Sequence, residues 1–193
     1  MGKALPISGW FEHVRGLGLT SATLLGKGPS LDWYKPVPGA FVMGINDVPT
    51  HHRCDCVVYV DKQYNEFEYP EGVTILRPAD RENGQGGSGY AWHIYQPGNP
   101  ETDDYLRPTG EGTGTKALQI LGMAGFTDIM LWGFEGMLCT RRADAFENQP
   151  LGKNYHNIGL AMRKAMLIEG SSIQRVTHGV PPGPVTIMEP ADG

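Results

Sequence analysis

The sequence predicts one α/β domain of three layers, with a mostly parallel sheet and two long inserted loops. Short, continuous runs of apolar and β-branched residues are typical of strands buried on both faces of a parallel sheet. Five such runs occur, and each ends in small or polar residues: Ser21–Leu25, Ala40–Met43, Val57–Val60, Val73–Leu76 and Thr127–Trp132. Helical patterns elsewhere in the chain complete a Rossmann-like arrangement. We expect this single domain to cover residues 1–193, with its core at about 19–178.

Apolar residues at helical spacing predict two helices and a final strand. The first helix starts at Thr115 and has a natural stop at Gly125, with apolar positions at Ala117, Leu118, Leu121 and Ala124. The second helix runs over about 157–170, and a strand follows at Ser172–Val176. An amphipathic helix near the N-terminus carries His13.

Two stretches without periodicity predict the inserted loops. Residues Asp80–Gly114 are rich in Gly, Pro, Asn and Asp, and residues 136–155 form a second insertion. Loops this long inside a domain are usually functional or mobile. The Pro-rich residues 180–193 predict a surface tail.

Composition and charge exclude several classes of protein. With 16 basic and 21 acidic residues, the net charge of −5 argues against a non-specific nucleic-acid binder, which needs a basic face. No apolar run approaches the roughly 20 residues that span a bilayer, and the first residues lack the apolar stretch of a signal peptide. The 3 cysteines are too few for a disulfide framework, so we expect a cytoplasmic protein. The sequence leaves a homo-oligomer open.

The loop after the first predicted strand carries the strongest motif, LLGKGPSLD. Gly26 and Gly28 directly follow a buried strand, where their backbone N–H groups can approach a phosphate or a ribose. The Walker A spacing is absent, and Leu31 stands where a dinucleotide-binding GxGxxG would have its third glycine. The alternative interpretation is a tight exit from the strand.

Polar residues at other strand ends predict a shared cleft. Asn46, Asp47, Asp61 and Glu135 each follow a predicted strand, and Thr113–Thr115 open the first helix. Ligands of open parallel sheets bind at the carboxyl ends of the strands, so we expect these residues to lie around one ligand.

The order of these motifs resembles a known superfamily. The segments are GKGPSL at Gly26–Leu31, GIND at Gly44–Asp47, CDCVVYVD at Cys54–Asp61, and the helix-plus-strand segment Gly112–Glu135. Together they are similar to the bacterial CMP-sialic-acid-dependent sialyltransferases. They also resemble the MptE-like domain of flagellin-modifying motility accessory factors and archaeal 6-hydroxymethylpterin diphosphokinases. The resemblance covers the chain from Ser21 to about Val176.

The resemblance implies roles for individual residues. Asn46 would hold the nucleotide, Thr113, Gly114 and Thr115 would lie beside its phosphate, and residues 136–155 would be a shortened lid. His156, just before the second helix, matches the place of the family's general base. The glycine-rich loop would also bind the nucleotide, through Gly26, Lys27, Gly28, Pro29 and Ser30.

Two departures from the family bear on the donor. Lys27 replaces the family's asparagine, and Glu135 stands where aspartate is usual. A lysine suits a phosphate as a point charge, which keeps a diphosphate-bearing ligand open.

Three functions follow from the sequence. The first is a metal-independent, glycosyltransferase-like enzyme with a CMP-sugar or another nucleotide sugar as donor and no permanently bound cofactor. The second is an MptE-like diphosphokinase, which would need Mg²⁺ to neutralise ATP phosphates. The third is a non-catalytic protein that sequesters a nucleotide, and the short stand-alone chain suggests a phage or prophage setting.

Histidines and cysteines suggest weaker alternatives. In His51-His52-x-Cys54-x-Cys56, the two cysteines alternate onto one face of a predicted strand, and zinc ligation would be one interpretation. Their spacing is short for zinc, so we expect buried cysteines and no metal. His93, in the first long loop, faces either a ligand or packed aromatic side chains.

Overall fold

The structure, a computed structural model, describes residues 4–81, 89–108, 112–134 and 168–179. Within these ranges the chain forms two α-helices, α1 at Ile7–Gly16 and α2 at Thr113–Met123. It also forms nine strands: β1 Leu5–Pro6, β2 Ser21–Leu25, β3 Phe41–Ile45, β4 Cys56–Val58, β5 Thr74–Pro78, β6 Tyr90–Ile94, β7 Tyr105–Leu106, β8 Asp128–Trp132 and β9 Arg175–His178.

The strands form one sheet in the order β1-β6-β5-β4-β3-β2-β8-β9, with β7 also paired to β6. Every described pair is parallel. The chain moves outward from β2 to β6 and then returns to place β8 on the other side of β2. This reversal creates a topological switch point between β2 and β8, where α/β proteins bind ligands. The predicted Rossmann-like α/β fold is confirmed.

Both α-helices pack on the same face of the sheet. In α1, the buried residues Ile7, Trp10, Phe11 and Val14 recur at helical spacing and form one apolar stripe. They share a core cluster with α2 and with alternate strand residues such as Leu24 and Met43. The opposite face is covered by short 3₁₀ helices, which contribute Leu31, Val48 and Tyr64 to two smaller clusters.

The prediction of a long loop over Asp80–Gly114 is wrong in part, because this segment contains the strands β6 and β7. Tyr90–Ile94 is a short aromatic run flanked by Gly- and Pro-rich sequence, and it becomes a strand by pairing with β5, β1 and β7. A two-residue strand such as β1 or β7 leaves no periodic signal in a sequence.

The other predicted elements either agree with the structure or lie outside the described residues. The helix expected from Thr115 is α2, and Gly125 follows it with φ of 101°. The final strand is β9, a few residues later than expected. The insertion 136–155, most of the helix predicted over 157–170 and the tail 180–193 are outside the described residues.

None of the helices in the described ranges is long and apolar enough to cross a bilayer.

Candidate functional site

The loops that follow β2 and β8 are joined at the switch point by three hydrogen bonds. Gly26 N–H donates to the Trp132 carbonyl and Gly28 N–H donates to the Gly133 carbonyl, both at 2.7 Å. In return, Gly133 N–H donates to Ser30 Oγ at 2.7 Å, and Ser30 is 1% exposed. The two glycine N–H groups that the sequence offered to a phosphate are therefore used within the protein. Ser30 holds the two loops together.

The same loops approach too closely for larger residues. A Cβ atom at Gly26 would lie 2.5 Å from the Gly133 carbonyl oxygen and 2.9 Å from the Phe134 ring. A Cβ atom at Gly114, in the first turn of α2, would lie 2.5 Å from the same ring. The Phe134 ring thus lies against both glycines and brings the start of α2 to the switch point. At position 26 this close packing is enough to explain why the residue is glycine. That is what the alternative interpretation of the motif, a tight exit from the strand, predicts.

Lys27 forms a buried ion pair with Asp47. Its Nζ lies 2.9 Å from Asp47 Oδ1, and the two side chains are 10% and 3% exposed. The Tyr64 ring centroid lies 6.0 Å from the same nitrogen. The pair joins the loop after β2 to the loop after β3. The charge that the sequence offered to a phosphate is therefore already balanced by a carboxylate.

Asn46 combines a strained backbone with a buried, unpartnered side-chain atom. Its φ of 54° is the only positive value for a non-glycine residue in the described ranges. Its N–H donates to the Val58 carbonyl at 2.9 Å, which fixes it to the end of β4. Its Oδ1 is buried and has no hydrogen-bond partner among the described residues. Strain together with an unsatisfied acceptor is typical of ligand-binding positions.

A cluster of three tyrosines reaches the ion pair through Tyr64 and was missed by the sequence analysis. The rings of Tyr59 and Tyr69 are stacked at 6.2 Å, and Tyr64 lies 6.4 Å from Tyr59. The hydroxyls of Tyr59 and Tyr69 are buried without partners in the described part of the chain. Burial, with smaller contributions from Tyr59, Asp47 and Tyr64, raises the pKa of Tyr69 and keeps it protonated. The signal that could have found them is a tyrosine every five residues after the strand β4.

Of the remaining predicted residues, those that the structure describes lie near the same edge of the sheet. Asp61 is exposed and precedes the 3₁₀ helix Lys62–Glu66, beside the end of β4. Thr113 and Thr115 are buried in the first turn of α2, whose N-cap residue Gly112 provides no capping side chain. The first N–H groups of α2 therefore need other partners. Glu135, His156 and the lid 136–155 lie outside the described residues.

Lys116, also in α2, is buried, and none of the carboxylates that the structure describes forms an ion pair with it. Its Nζ donates to Gln119 Oε1 at 2.6 Å and to the Arg107 carbonyl at 2.9 Å. Burial lowers the pKa of Lys116 to about 8. Its side chain is therefore bonded to the chain segment that leads toward α2.

The buried state of Lys116 predicts a pH dependence of stability. Because its folded pKa lies below the unfolded value of 10.5, the unfolded chain binds more protons between about pH 8 and pH 10.5. The contribution of Lys116 to the free energy of unfolding should therefore rise by roughly 3 kcal/mol across that interval. Urea titrations of the parent and of Lys116→Met at several pH values measure it. A difference between the two proteins that does not change with pH would contradict the prediction.

The cysteines do not share one face as the sequence predicted. Strand β4 begins only at Cys56, so Cys54 lies in the preceding loop and packs in a cluster on the opposite face of the sheet. Burial raises the pKa of the Cys54 thiol to about 12 and that of Cys56 well above its usual value. No group of three or more His, Cys, Asp or Glu residues in the described ranges is arranged to hold a metal ion.

Two cavities lie away from the switch point. One, of about 840 Å³, is at the amino-terminal edge of β3–β5 and is lined by His13, His51 and His52 among others. The other, of about 400 Å³, is at the carboxyl ends of β5 and β6 and includes His93.

Comparisons with protein-family models, with curated proteins and with solved structures found no match to the chain.

Proposed function

We propose that the chain is a nucleotide-dependent transferase of the glycosyltransferase type, which binds a nucleotide sugar at the carboxyl ends of β2 and β3, beside the switch point. The observation that carries the proposal is Asn46, whose strained backbone presents a buried, unpartnered acceptor at the carboxyl end of β3. A positive φ is uncommon outside glycine, although asparagine tolerates it better than most residues, and such positions often lie at binding sites. A hydrogen-bond donor of the nucleoside would satisfy Asn46 Oδ1.

The surroundings of Asn46 support a nucleotide over other small molecules. The carboxyl ends of β2 and β8 form the switch point of a parallel sheet, and α2 begins beside them with no side-chain cap on its first N–H groups. The positive end of a helix dipole stabilises a phosphate there, and a nucleoside extends along the neighbouring strand ends. Asp61 follows β4, and its exposed carboxylate would accept hydrogen bonds from hydroxyl groups of the ligand.

The charges favour a donor with one phosphate over a triphosphate. Two described lysines lie in the loop after β2 and in the first turns of α2. Lys27 is paired with Asp47, and Lys116 is bonded to Gln119 and to the Arg107 carbonyl. Neither lysine extends a free charge toward a chain of phosphates. A diphosphokinase would instead need Mg²⁺ to neutralise ATP, so its activity would disappear with a chelator.

The experiment that tests the proposal separates the three functions. The protein is incubated with CMP-, UDP-, ADP- and GDP-sugars and a mixture of simple sugars whose hydroxyl groups serve as acceptors, and separately with ATP and the same acceptors, each with and without EDTA, and the nucleotides are separated by chromatography. A transferase releases the free nucleotide from one donor, and EDTA does not change the rate. Binding with complete recovery of the intact donor would favour the sequestering protein and contradict the proposal. Activity with ATP that requires Mg²⁺ would favour the diphosphokinase.

His156 is the proposed general base of the transfer. Transfer onto a hydroxyl requires removal of its proton, and histidine has a pKa suited to that role near neutral pH. His156→Ala should lower turnover by roughly 10²-fold or more while nucleotide affinity changes little. The matched control is His13→Ala, an exposed histidine on α1. Turnover of the His156 variant within a few-fold of the parent would exclude the catalytic role.

A further inference from the structure

Two polar residues lie side by side at the carboxyl ends of β3 and β4. The last register pair of these strands is Ile45 with Val58, and the residues that follow are Asn46 and Tyr59. Asn46 N–H donates to the Val58 carbonyl at 2.9 Å, which keeps Asn46 within one strand spacing of β4. Tyr59 alternates with Val58 and packs with Val57 on the face of the sheet that the 3₁₀ helices cover.

Tyr69 brings a second phenol to this pair. Its ring is stacked on that of Tyr59, with centroids 6.2 Å apart and planes at 16°. Burial is the main cause that raises the pKa of Tyr69, and Tyr59, Asp47 and Tyr64 add to it, so these three residues lie near its hydroxyl. Asp47 is the residue after Asn46. The Tyr69 hydroxyl therefore remains protonated and can donate a hydrogen bond close to Asn46.

Three buried oxygen atoms of this group have no hydrogen-bond partner among the described residues. They are Asn46 Oδ1 and the hydroxyls of Tyr59 and Tyr69. A buried polar atom without a partner costs free energy, so in most proteins a ligand or an ordered water supplies the missing bond. Tyr69 is only half-buried, so the group reaches the surface there. Three such atoms close together are typical of a site that a bound molecule completes.

The hydrogen-bonding roles of these atoms select the chemistry of that molecule. An amide oxygen only accepts, whereas a phenol both donates and accepts. A phosphate or carboxylate would give Asn46 Oδ1 no donor, and an ammonium would give the phenol protons no acceptor. Two hydroxyls on adjacent carbons meet both needs, since each can donate to the amide oxygen and accept from a phenol.

Charge does not decide this choice. The carboxylate of Asp47 is already paired with Lys27 at 2.9 Å. Arg77 lies in β5 beside Tyr59, because Tyr59 N–H donates to the carbonyl of the preceding residue, Leu76. Arg77 also interacts with other groups of the protein. The selection therefore depends on the three oxygen atoms.

We propose that Asn46, Tyr59 and Tyr69 form a diol subsite, which binds the 2′,3′-diol of a ribose and selects ribonucleotides over deoxynucleotides. The inference rests on the proposed function, because it names the part of the nucleotide that these residues bind. Asn46 Oδ1 accepts a hydrogen bond from one ribose hydroxyl, and the two phenols donate to the ribose oxygens.

Binding of ribonucleotides and their deoxy analogues to the full chain tests the diol subsite. The probes are CMP, UMP, ADP and GDP together with their 2′-deoxy and 3′-deoxy forms, and thermal-shift titrations give each Kd. For the ribonucleotide that binds the parent, at least one deoxy form should bind about tenfold or more weakly. The deoxy form leaves polar groups of the subsite without a partner.

Two variants assign this discrimination to the phenols. Tyr59→Phe and Tyr69→Phe each remove one hydroxyl and keep the stacked ring. At least one of them should bind the ribonucleotide about tenfold more weakly than the parent does, while its affinity for the deoxy form stays within about threefold. Neither should lower the urea midpoint, since neither hydroxyl has a partner to lose in the described part of the chain. The matched control is Tyr95→Phe, whose ring contacts Arg107 after β6 and which should discriminate as the parent does.

The outcomes separate the diol subsite from the proposed function. Equal affinity of the parent for ribonucleotides and both deoxy forms, as expected if water satisfies the three oxygen atoms, would overturn the subsite alone. Discrimination that persists in both phenylalanine variants would do the same. Equal weakening of ribonucleotides and deoxynucleotides by these variants would place a phosphate at the phenols, and it would also overturn the subsite. If no nucleotide binds the parent, the subsite and the proposed function are both wrong.

Discussion

Asp47→Asn should destabilise the protein by about 3–5 kcal/mol, because it leaves the ammonium of Lys27 buried without its carboxylate. The two side chains are 10% and 3% exposed, so water cannot replace the lost partner. The free energy of unfolding from urea titration measures the loss. The matched control is Asp128→Asn, in an ion pair with Arg175 whose side chains are 36% and 70% exposed. Exposed pairs contribute only about 0–1 kcal/mol.

The double variant Lys27→Met, Asp47→Leu distinguishes a lost charge partner from lost packing. Replacing both members of a buried pair with apolar residues is often neutral or stabilising, so this variant should recover most of the stability. If Asp47→Asn loses no more stability than the exposed control, or if the double variant is the least stable of all, the pair is not buried as described.

Gly133→Ala should be the most destabilising glycine substitution at the switch point. A Cβ at Gly133 would lie 2.5 Å from the Gly26 carbonyl oxygen, and the backbone has a φ of 76°. Gly39→Ala separates these two effects, since Gly39 has a φ of 77° and no atom within 4 Å of an added Cβ. The strained φ alone costs about 1–2 kcal/mol, and the clash should add about 2 kcal/mol at Gly133.

Thermal or urea unfolding of the two alanine variants makes this comparison directly. Equal losses of stability at Gly133 and Gly39 would mean that the loops after β2 and β8 do not pack closely. In that case the glycines of the GKG motif would be free to face a ligand instead.

The interior of the sheet could be predicted from the sequence because burial on both faces leaves a continuous apolar run. Ser21–Leu25 became β2 with the predicted bounds, and Thr127–Trp132 became β8 within one residue. The edge of the sheet could not be predicted, since β1 and β7 have two residues each and depend on β6 for their hydrogen bonds. The long-loop prediction failed for the same reason.

The candidate site was predictable in position but not in detail. Asn46, Asp47 and the glycine loop could be identified because each follows a predicted strand. Parallel strands bring their carboxyl ends to one edge of the sheet, so residues in these positions lie near one another. Which groups are used within the protein depends on contacts across the chain. Ser30 bonds to a residue 103 positions away, and Lys27 pairs with one 20 positions away. No local pattern contains those pairings.

Nucleotide binding by the parent and by Asn46→Gly is the most direct measurement of the central claim. Glycine adopts the φ of 54° without strain, so the variant's own free energy of unfolding should change by less than about 1 kcal/mol. Thermal-shift titrations with CMP, UMP, ADP, GDP and their sugar conjugates should show one that stabilises the parent by about 2.7 kcal/mol at 100 times its Kd. The variant should bind that ligand at least about tenfold more weakly, since it lacks the amide acceptor. If no nucleotide stabilises the parent, or if Asn46→Gly binds as tightly, the strand ends around Asn46 are not a nucleotide site.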